Sequence, residues 1–427
     1  MTKNLPKEVA NYLNKFEYKK YNLYYPINKV YNVIIVIPVI AEFKNISKLI
    51  ESFNNNNSSF FNSTLILFVI NNLPNAEEKI KKDNLNTAKY IQDIILTDDN
   101  KININLIDAF SSGNELPEKD GGVGLARKIG MDIALKYFDY SQNTLLVCLD
   151  SDCEISSNYL EVLDYSRKQG VDAGYIPFIH RFTDYEEENF AIICYDIFLH
   201  YYVAFLKYAE SPYAFHTIGS TMVCSANAYC KIQGMNKRLA AEDFYFMEKL
   251  SKVYEIKVLK EATVYPLGRS SWRVPFGTGQ RVARYLLHLQ DEYILYNPEI
   301  FLILKQWNLF FFDKNILSAD AYLKRALNIN GKLHDFLELN KFEEAWNKII
   351  LSSQNELQIF KQKKYWFDGF RTLKLVHYLR DNGFNNVKMK DALNIFNRLI
   401  GVKINNSFIT KEEQIKYLTV LKDYITN

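Results

Sequence analysis

Asp150 and Asp152 follow directly on an apolar run at residues 145–149. Such a run predicts a buried strand, which would end here and present both carboxylates at the sheet edge where ligands bind. Residues i and i+2 of an extended chain point the same way, so both side chains can face one divalent cation such as Mg²⁺ or Mn²⁺. Two solvated aspartates in a turn are the alternative, and the position after a strand favours the cation site. After this pair, Asn158 with Glu161 predicts an N-cap and its reciprocal partner at the start of the next helix.

A glycine-rich stretch at residues 120–127, DGGVGLAR, precedes a helical pattern at residues 128–135. Glycines at a helix start let backbone amides approach a phosphate group, and the helix N-terminus carries partial positive charge. Gly122 and Arg127 are therefore candidate phosphate ligands. The stretch has neither the glycine spacing of a dinucleotide-binding turn nor the lysine of a phosphate-binding loop, and a plain turn remains the alternative.

Glu242 and Asp243 follow two alanines and precede another helical pattern. An acidic pair at a helix start serves either as a helix cap or as a general base that takes the proton of a hydroxyl nucleophile. The positive end of the helix dipole favours the ionised carboxylate that such a base requires. The sequence leaves both roles open.

Residues 268–281, GRSSWRVPFGTGQR, contain three arginines and three glycines around a tryptophan, without apolar periodicity. Loops of this kind often close over a charged ligand, and guanidinium groups match the geometry of phosphate. Arg269, Arg273 and Arg281 are therefore expected to contact a phosphorylated ligand. The alternative is a surface loop whose arginines pair with carboxylates.

A sheet whose strands alternate with helices must position these four segments. Strand-like runs lie at residues 33–37, 64–70, 102–107 and 144–149, and helical patterns lie between them. This alternation predicts parallel pairing in a doubly wound, Rossmann-like α/β sheet, with ligands at the carboxyl ends of its strands.

The chain divides into three expected regions. Residues 1–30 form a basic arm with six lysines and two glutamates, and residues 31–284 form the α/β catalytic domain. Residues 285–427 lack strand-like runs and form a helical C-terminal domain, in which Thr410 and Glu413 predict a capping box. The arm either packs its aromatic residues on the domain or contacts an anionic membrane surface.

The composition excludes several classes of protein. The 427 residues carry 52 Lys and Arg against 49 Asp and Glu, and this balance, without basic blocks, excludes a dedicated nucleic-acid binder. Five cysteines without a CxxC pair favour neither a disulfide framework nor a zinc site. The polar N-terminus predicts no secretory signal, and the longest lipid-like run, residues 301–312, is too short to span a bilayer. We expect a soluble, cytoplasmic protein without a transmembrane segment.

Taken in this order, the segments resemble glycosyltransferases of the GT-A fold, closest to the large family-two group of nucleotide-sugar transferases. The resemblance covers residues 32–281 and includes the turn after the first strand, the glycine-rich helix start, the DxD pair and the Glu-Asp pair. It implies a nucleotide-sugar site formed by Pro38, Val39, Glu42, Asn71, Gly122, Arg127, Asp150, Ser151, Asp152, Arg269, Arg273 and Arg281.

The resemblance also implies a mechanism. Asp152, with Asp150, would bind Mn²⁺ or Mg²⁺, and Asp243, beside Glu242, would be the catalytic base. The sequence has Asn71 and Asn72 after the second strand, where many relatives have aspartates, and this departure leaves the identity of the nucleotide open. The QxxRW motif of processive synthases is absent, so polymer export is not expected.

The implied function is metal-dependent transfer of a sugar from a nucleoside diphosphate sugar to a hydroxyl of a saccharide, a lipid-linked acceptor or a small molecule. Inversion at the anomeric carbon is expected, with Asp243 as the base. The loop at residues 273–279 is also similar to that of retaining transferases that make glucosyl or mannosyl glycerate derivatives. A nucleotidyltransferase that releases pyrophosphate and a non-catalytic binding protein are the other classes considered.

Overall fold

The computed structural model describes residues 5–97, 101–237, 240–270, 277–289, 291–404 and 408–427. The chain forms two compact units. The first, here called the sheet unit, comprises Met1–Thr183 and Thr217–Gly279, and the second, the helical unit, comprises Asp184–His216 and Gln280–Asn427.

The sheet unit begins with helices and strands in alternation. In chain order these are α1 (Lys7–Phe16), β1 (Val33–Val39), α2 (Phe43–Asn54), β2 (Thr64–Asn71), α3 (Glu78–Leu96), β3 (Asn103–Ala109), α4 (Val123–Ala134), β4 (Leu145–Cys148), β5 (Cys153–Ile155), α5 (Tyr159–Lys168) and β6 (Ala173–Tyr175). After α6 (Glu186–Tyr208), which belongs to the helical unit, follow β7 (Met222–Cys224), α7 (Ala226–Lys231), α8 (Glu242–Ser251), β8 (Lys257–Val258) and β9 (Val264–Pro266). Helix α9 (Thr278–Leu286) begins at the end of the sheet unit and belongs to the helical unit from Gln280 onward.

Among the described residues, seven strands form one mixed, mostly parallel sheet in the order β3-β2-β1-β4-β7-β6-β8. The strands from β3 to β4 are parallel, whereas β7 runs antiparallel to both of its neighbours. Strands β1 and β2 are buried along their whole length, which explains their continuous apolar runs. The predicted α/β fold with a mostly parallel sheet and a helical C-terminal region is confirmed.

Helix α4 packs so closely on the sheet that Gly130 is needed at its centre, because a β-carbon there would lie 2.8 Å from Cγ2 of Val69. The same helix carries a buried ion pair, Lys128 and Asp132, at 2.7 Å. The hydroxyl of Tyr12 in α1 donates to Asp132 and that of Tyr229 in α7 does the same, both at 2.8 Å. This network joins α1, α4 and α7, so an aromatic residue of the basic arm is packed on the sheet unit.

Local signals at two helix starts had different outcomes. The capping box of Thr410 and Glu413 is present. Asn158 stands at the predicted start of α5, but the prediction that its side chain caps the helix is wrong. Its amide instead donates to the carbonyl of Glu261, and its Oδ1 accepts from the hydroxyl of Ser156. The hydrogen bond to Glu261, a residue distant in sequence, replaces the cap hydrogen bond to the backbone of α5.

The helical unit is built around aromatic residues. Its elements after α9 are β10 (Ile294–Leu295), α10 (Pro298–Phe311), α11 (Ala319–Ile329), α12 (Gly331–Leu339), α13 (Phe342–Ser352), α14 (Glu356–Trp366), α15 (Gly369–Asp381), β11 (Val387–Lys388), α16 (Met389–Leu399) and α17 (Lys411–Thr426). Trp307 of α10 stacks on Phe311 at 5.0 Å between ring centroids, and both belong to the core that α6 shares.

Helix α6 is the one helix of the described residues that is long and apolar enough to cross a bilayer. It is a longer apolar segment than the run at residues 301–312 that the sequence singled out. However, 72% of its apolar window is buried within the structure, as in the core helix of a helical bundle.

Candidate active site

Three elements of the sheet unit bring distant charged residues together. Arg127 lies in the second turn of α4, Asp150 follows the carboxyl end of β4, and Glu242 opens α8. Nη2 of Arg127 lies 2.5 Å from Oδ1 of Asp150, and Nη1 of the same guanidinium contacts Oε1 of Glu242. The structure therefore brings Asp150, of the aspartate pair, and Glu242, of the Glu-Asp pair, together on one guanidinium.

The bridging arginine is buried, with 3% of its side chain exposed, while Glu242 is 5% and Asp150 36% exposed. Burial by itself lowers the pKa of Arg127, but the carboxylates of Asp150 and Glu242 outweigh it and raise that pKa above its ordinary value. The guanidinium thus stays charged. A buried charge of this kind is tolerated only because it is paired, and removing one partner would leave the other unpaired in a dry site.

Two glycines make room for this arrangement. A β-carbon at Gly219 would lie 2.8 Å from Cζ of Arg127, so the guanidinium rests against the backbone at residue 219. A β-carbon at Gly121 would lie 2.6 Å from the carbonyl oxygen of Pro117. Gly122, the predicted phosphate ligand, precedes the first residue of α4 in extended conformation, and its carbonyl accepts from Ala126 at 3.0 Å.

Asp243 is the second residue of α8 and is partly buried. Burial, followed by the charge of Glu242, raises the pKa of its carboxyl to about 7, while Arg127 and the backbone N–H of Phe244 act in the opposite direction. That N–H donates to Oδ1 of Asp243 at 2.7 Å. A carboxyl with a pKa near neutrality is suited to accept a proton from a hydroxyl group.

The backbone at the start of α8 is strained. Ala241 adopts the left-handed conformation, with φ of 59°, and Ala41 before Glu42 does so with φ of 52°. This conformation costs a residue other than glycine roughly 1–2 kcal/mol. Strain of this kind is retained where the surroundings fix a side chain in a required place.

Asp152 pairs with a different arginine. Nη2 of Arg269 lies 3.5 Å from Oδ2 of Asp152 and also contacts Oε1 of Glu42, a carboxylate that is 1% exposed. The neighbouring residue, Ser151, is buried. The turn is held further by Arg181, whose Nη2 donates to the carbonyl of Asp152 at 2.9 Å.

Arg181 was missed by the sequence argument. Its backbone N–H donates to the carbonyl of Pro266 at 2.8 Å, and its Nη1 pairs with Glu154. It therefore connects the turn after β4 to the segment that leads into Arg269. A single arginine outside any motif offers no signal in the sequence, because these contacts depend on chain segments that are distant from one another.

An amide cluster fastens the carboxyl ends of β1 and β2. Nδ2 of Asn71 donates to the carbonyl of Val39 at 3.0 Å, which places this predicted nucleotide residue beside the end of β1. Asn84 of α3, fully buried, donates to the carbonyl of Asn71 at 3.0 Å and accepts from the N–H of Ala41 at 2.9 Å. No pattern in the sequence marks Asn84 for this role or predicts that the amide of Asn71 binds the carbonyl of Val39, the residue after the buried Pro38.

The other residues of the arginine-rich segment are not all in this cluster. Arg273, with Trp272, lies outside the described residues. Arg281 belongs to the helical unit, where its Nη2 lies 2.6 Å from Glu292 and its guanidinium lies over the ring of Phe198 at 4.6 Å. Its contact with a donor stays a prediction.

Two buried histidines, His180 and His216, lie outside this cluster of ion pairs. Nε2 of His180 lies 3.2 Å from the hydroxyl of Thr278, a residue of the arginine-rich segment. His216 is buried in the helical unit, where desolvation lowers its pKa to about 3, and its ring lies 4.5 Å from that of His200.

The carboxylates after β4 suit a hard cation that a ligand helps to hold. Among the described residues no group of three or more His, Cys, Asp or Glu side chains is placed to bind a metal. Asp150 and Asp152 offer two carboxylates, and Mg²⁺ is commonly held by one or two carboxylates together with substrate phosphates and water. The pair therefore fits a cation that binds together with a diphosphate.

Comparisons with known proteins give structural likenesses alone. No family model and no curated protein matches the sequence. Similar solved structures include residues 1–349 of S. aureus TarS in complex with UDP-GlcNAc, at 10% identity and a TM-score of 0.38, covering 79% of this chain and 91% of that one. TarS 1–349 by itself gives 12% identity and a TM-score of 0.37, covering 83% of this chain and 93% of that one.

A third similar structure is the mannosyltransferase PcManGT from Pyrobaculum calidifontis in complex with GDP-Man and Mn²⁺, at 11% identity and a TM-score of 0.36, covering 97% of this chain and 91% of that one. Because each of these three TM-scores lies below 0.5, we base the functional proposal on contacts within this chain.

Proposed function

We propose that this protein is a glycosyltransferase that moves a sugar from a nucleoside diphosphate sugar to an acceptor hydroxyl. The observation that carries the proposal is the convergence of Asp150 and Glu242 on the guanidinium of Arg127. It sets a pair of aspartates suited to a diphosphate-bound cation near a carboxyl suited to proton transfer. Both features are needed for the reaction, and each alone is common in proteins.

The donor site lies at the carboxyl ends of β1, β2 and β4, where ligands of such sheets bind. Asn71 and Glu42 would line the nucleotide end, and Gly122 at the start of α4 would face the phosphates. Arg269, already beside Asp152 at 3.5 Å, would contact the diphosphate. Its partial exposure, 34% of the side chain, leaves it accessible to a ligand.

Asp243 is the base in this proposal. Its carboxylate takes the proton of the acceptor hydroxyl as that oxygen forms a bond to the anomeric carbon. The bond from this carbon to the diphosphate oxygen breaks, and its electron pair leaves with the nucleoside diphosphate. Attack from the face opposite the leaving group inverts the anomeric centre.

Asp152 and Asp150 would hold a divalent cation, Mn²⁺ or Mg²⁺, which would stabilise the negative charge of the leaving diphosphate. Arg269 adds positive charge on the same side. The acceptor, whether a saccharide, a lipid-linked sugar or a small molecule, is left to experiment.

A thermal-shift screen with nucleoside diphosphate sugars, each with and without Mn²⁺, tests donor binding, because a ligand that binds the native state raises its melting temperature. A stabilising donor is then incubated with the protein, and free sugar and nucleoside diphosphate are quantified. We expect slow hydrolysis that requires Asp243. Release of pyrophosphate instead would identify a nucleotidyltransferase. The absence of both donor binding and turnover would contradict the proposal.

The anomeric configuration of the product, followed by NMR in the first minutes of reaction, tests the stereochemistry. Inversion is expected for a base at Asp243. Retention would assign the protein to the alternative group of glucosyl or mannosyl glycerate-type synthases.

A further inference from the structure

The two acidic residues at the start of α8 differ in their surroundings. The carboxylate of Glu242 is 5% exposed and is bound by Nη1 of Arg127, whereas Asp243 is partly open. The backbone carbonyl of Glu242 also accepts from Nδ2 of Asn236 at 3.2 Å. Glu242 is thus held on both its side chain and its backbone, and a buried carboxylate in an ion pair is poorly placed to collect a proton from a bound acceptor.

Arg127 is equally constrained. Its two terminal nitrogens contact Asp150 and Glu242, and the backbone at Gly219 lies against its Cζ. The remaining nitrogen, Nε, is buried and has no hydrogen-bond partner among the described residues. A planar guanidinium can bind two carboxylates at once with fixed geometry, which a lysine ammonium cannot do.

We propose that Glu242 is a positioning residue that acts through Arg127 and that Asp243 alone is the base, an inference that rests on the proposed glycosyltransferase activity. The bridge from Glu242 through Arg127 to Asp150 fixes the start of α8 against the end of β4. In this way it sets the distance between the proton acceptor and the donor-binding aspartates. A shift of about 1 Å in such a distance costs roughly 100-fold in rate.

The decisive comparison is between Glu242→Gln and Glu242→Ala. Glutamine keeps an oxygen that accepts from Nη1 of Arg127, so kcat should fall less than about tenfold. Alanine removes that acceptor, so kcat should fall about 100-fold while the dissociation constant of the donor changes less than about threefold. The matched control is Glu248→Gln on the same helix. Glu248 is buried to a similar extent and pairs with Lys252 at 3.6 Å. The kcat of this variant should stay within twofold of the wild-type value.

Gly219→Ala tests the bridge without changing any charge. The added methyl group would displace the guanidinium, so kcat should fall at least tenfold. Gly331→Ala is the control, because a β-carbon there meets no heavy atom within 4 Å and the residue lies in the helical unit. Circular dichroism and thermal unfolding verify that each variant is folded.

A double-mutant cycle gives a second measurement. If Glu242 affects the reaction only through its ion pair with Arg127, then the double variant Arg127→Met/Glu242→Ala should have the same kcat as Arg127→Met alone. Additive losses would overturn the positioning role. It would also be overturned if Glu242→Gln lost as much activity as Glu242→Ala, or if Glu242→Ala kept kcat within threefold of wild type.

These experiments distinguish failure of the proposed activity from failure of the role assigned to Glu242. A wild-type protein that neither transfers nor hydrolyses any nucleotide sugar contradicts the proposed function itself. An active wild type with equal losses in the glutamine and alanine variants contradicts only the assignment of Glu242 and would make it part of the proton-transfer machinery.

Discussion

Nη2 of Arg127 lies 2.5 Å from Oδ1 of Asp150, so the first turns of α4 and the end of β4 share one ion pair. Solvent reaches only one partner of this pair, because Arg127 is 3% exposed and Asp150 is 36% exposed. One oxygen of Asp150 is therefore committed to the protein. The other is left for a ligand, so Asp150 could contact a donor-bound cation through that oxygen, together with Asp152.

Asp243→Asn should lower kcat by about 100- to 10,000-fold, the range that general base catalysis contributes. Donor affinity should hardly change, because the base acts on the acceptor. Steady-state kinetics and donor calorimetry on the same preparation measure both. A variant with a normal rate would remove Asp243 from the mechanism.

The pH dependence of activity should report Asp243. Since burial and Glu242 raise the pKa of this carboxyl to about 7, kcat/KM should fall about tenfold per unit as the pH decreases below 7. A profile that is flat between pH 5 and 8 would contradict this assignment. The measurement uses donor at a concentration well below its KM.

The carboxyl of Asp243 should destabilise the folded state as the pH rises, whereas a carboxylate in an ordinary ion pair stabilises it. Between its unfolded pKa of about 3.9 and the folded value near 7, the folded state binds more protons, so stability decreases as the pH rises through this window. Asp243→Asn removes this penalty. Urea unfolding at pH 5 and pH 8 should therefore show that the variant gains stability relative to wild type at the higher pH.

Asp152→Ala should abolish the part of donor binding that depends on metal. In wild type, titration of donor in the presence of Mn²⁺ should give a calorimetric signal that chelation of the metal removes. In the variant the two titrations should coincide. The prediction fails if the variant binds the donor with unchanged affinity and metal dependence.

Asn84→Ala should destabilise the protein by about 1–3 kcal/mol, the usual cost of leaving buried hydrogen-bonding groups without partners. The side chain of Asn84 hydrogen-bonds with Ala41, Asn71 and Asn72 at the carboxyl ends of β1 and β2. Asn86→Ala is the control, since Asn86 is exposed on the same helix. Chemical unfolding compares the two, and equal stabilities would mean that the amide cluster contributes little.

Ala241→Gly should relieve the left-handed strain before α8. The gain of roughly 1–2 kcal/mol is offset by about 0.4–1 kcal/mol of extra entropy in the unfolded chain, so stability should rise by at most about 1 kcal/mol. Activity should nevertheless fall several-fold, because Asp243 is then held less firmly. A glycine variant that is both less stable and fully active would contradict the role assigned to this strain.

Much of the fold was predictable because its elements are encoded locally. The apolar runs of β1 and β2 and the glycines before α4 specify strands and a helix start from a few neighbouring residues, and the capping box of Thr410 and Glu413 was found in place. Asn158 was predicted to cap α5 and does not, since a contact with Glu261 competes for its side chain. Local rules fail where a partner distant in sequence offers a better hydrogen bond.

The sequence by itself identified several charged residues of the candidate site, because strand ends, helix starts and glycines are marked by their neighbours along the chain. It placed Asp150, Arg127 and Glu242 at such points. Only the tertiary structure decided that Arg127 joins the other two, that Asp152 and Glu42 share Arg269, and that Arg281 pairs with Glu292. Charge pairing depends on distances of a few ångströms between separate elements, 115 residues apart for Arg127 and Glu242 and 227 for Glu42 and Arg269, and no local pattern encodes them.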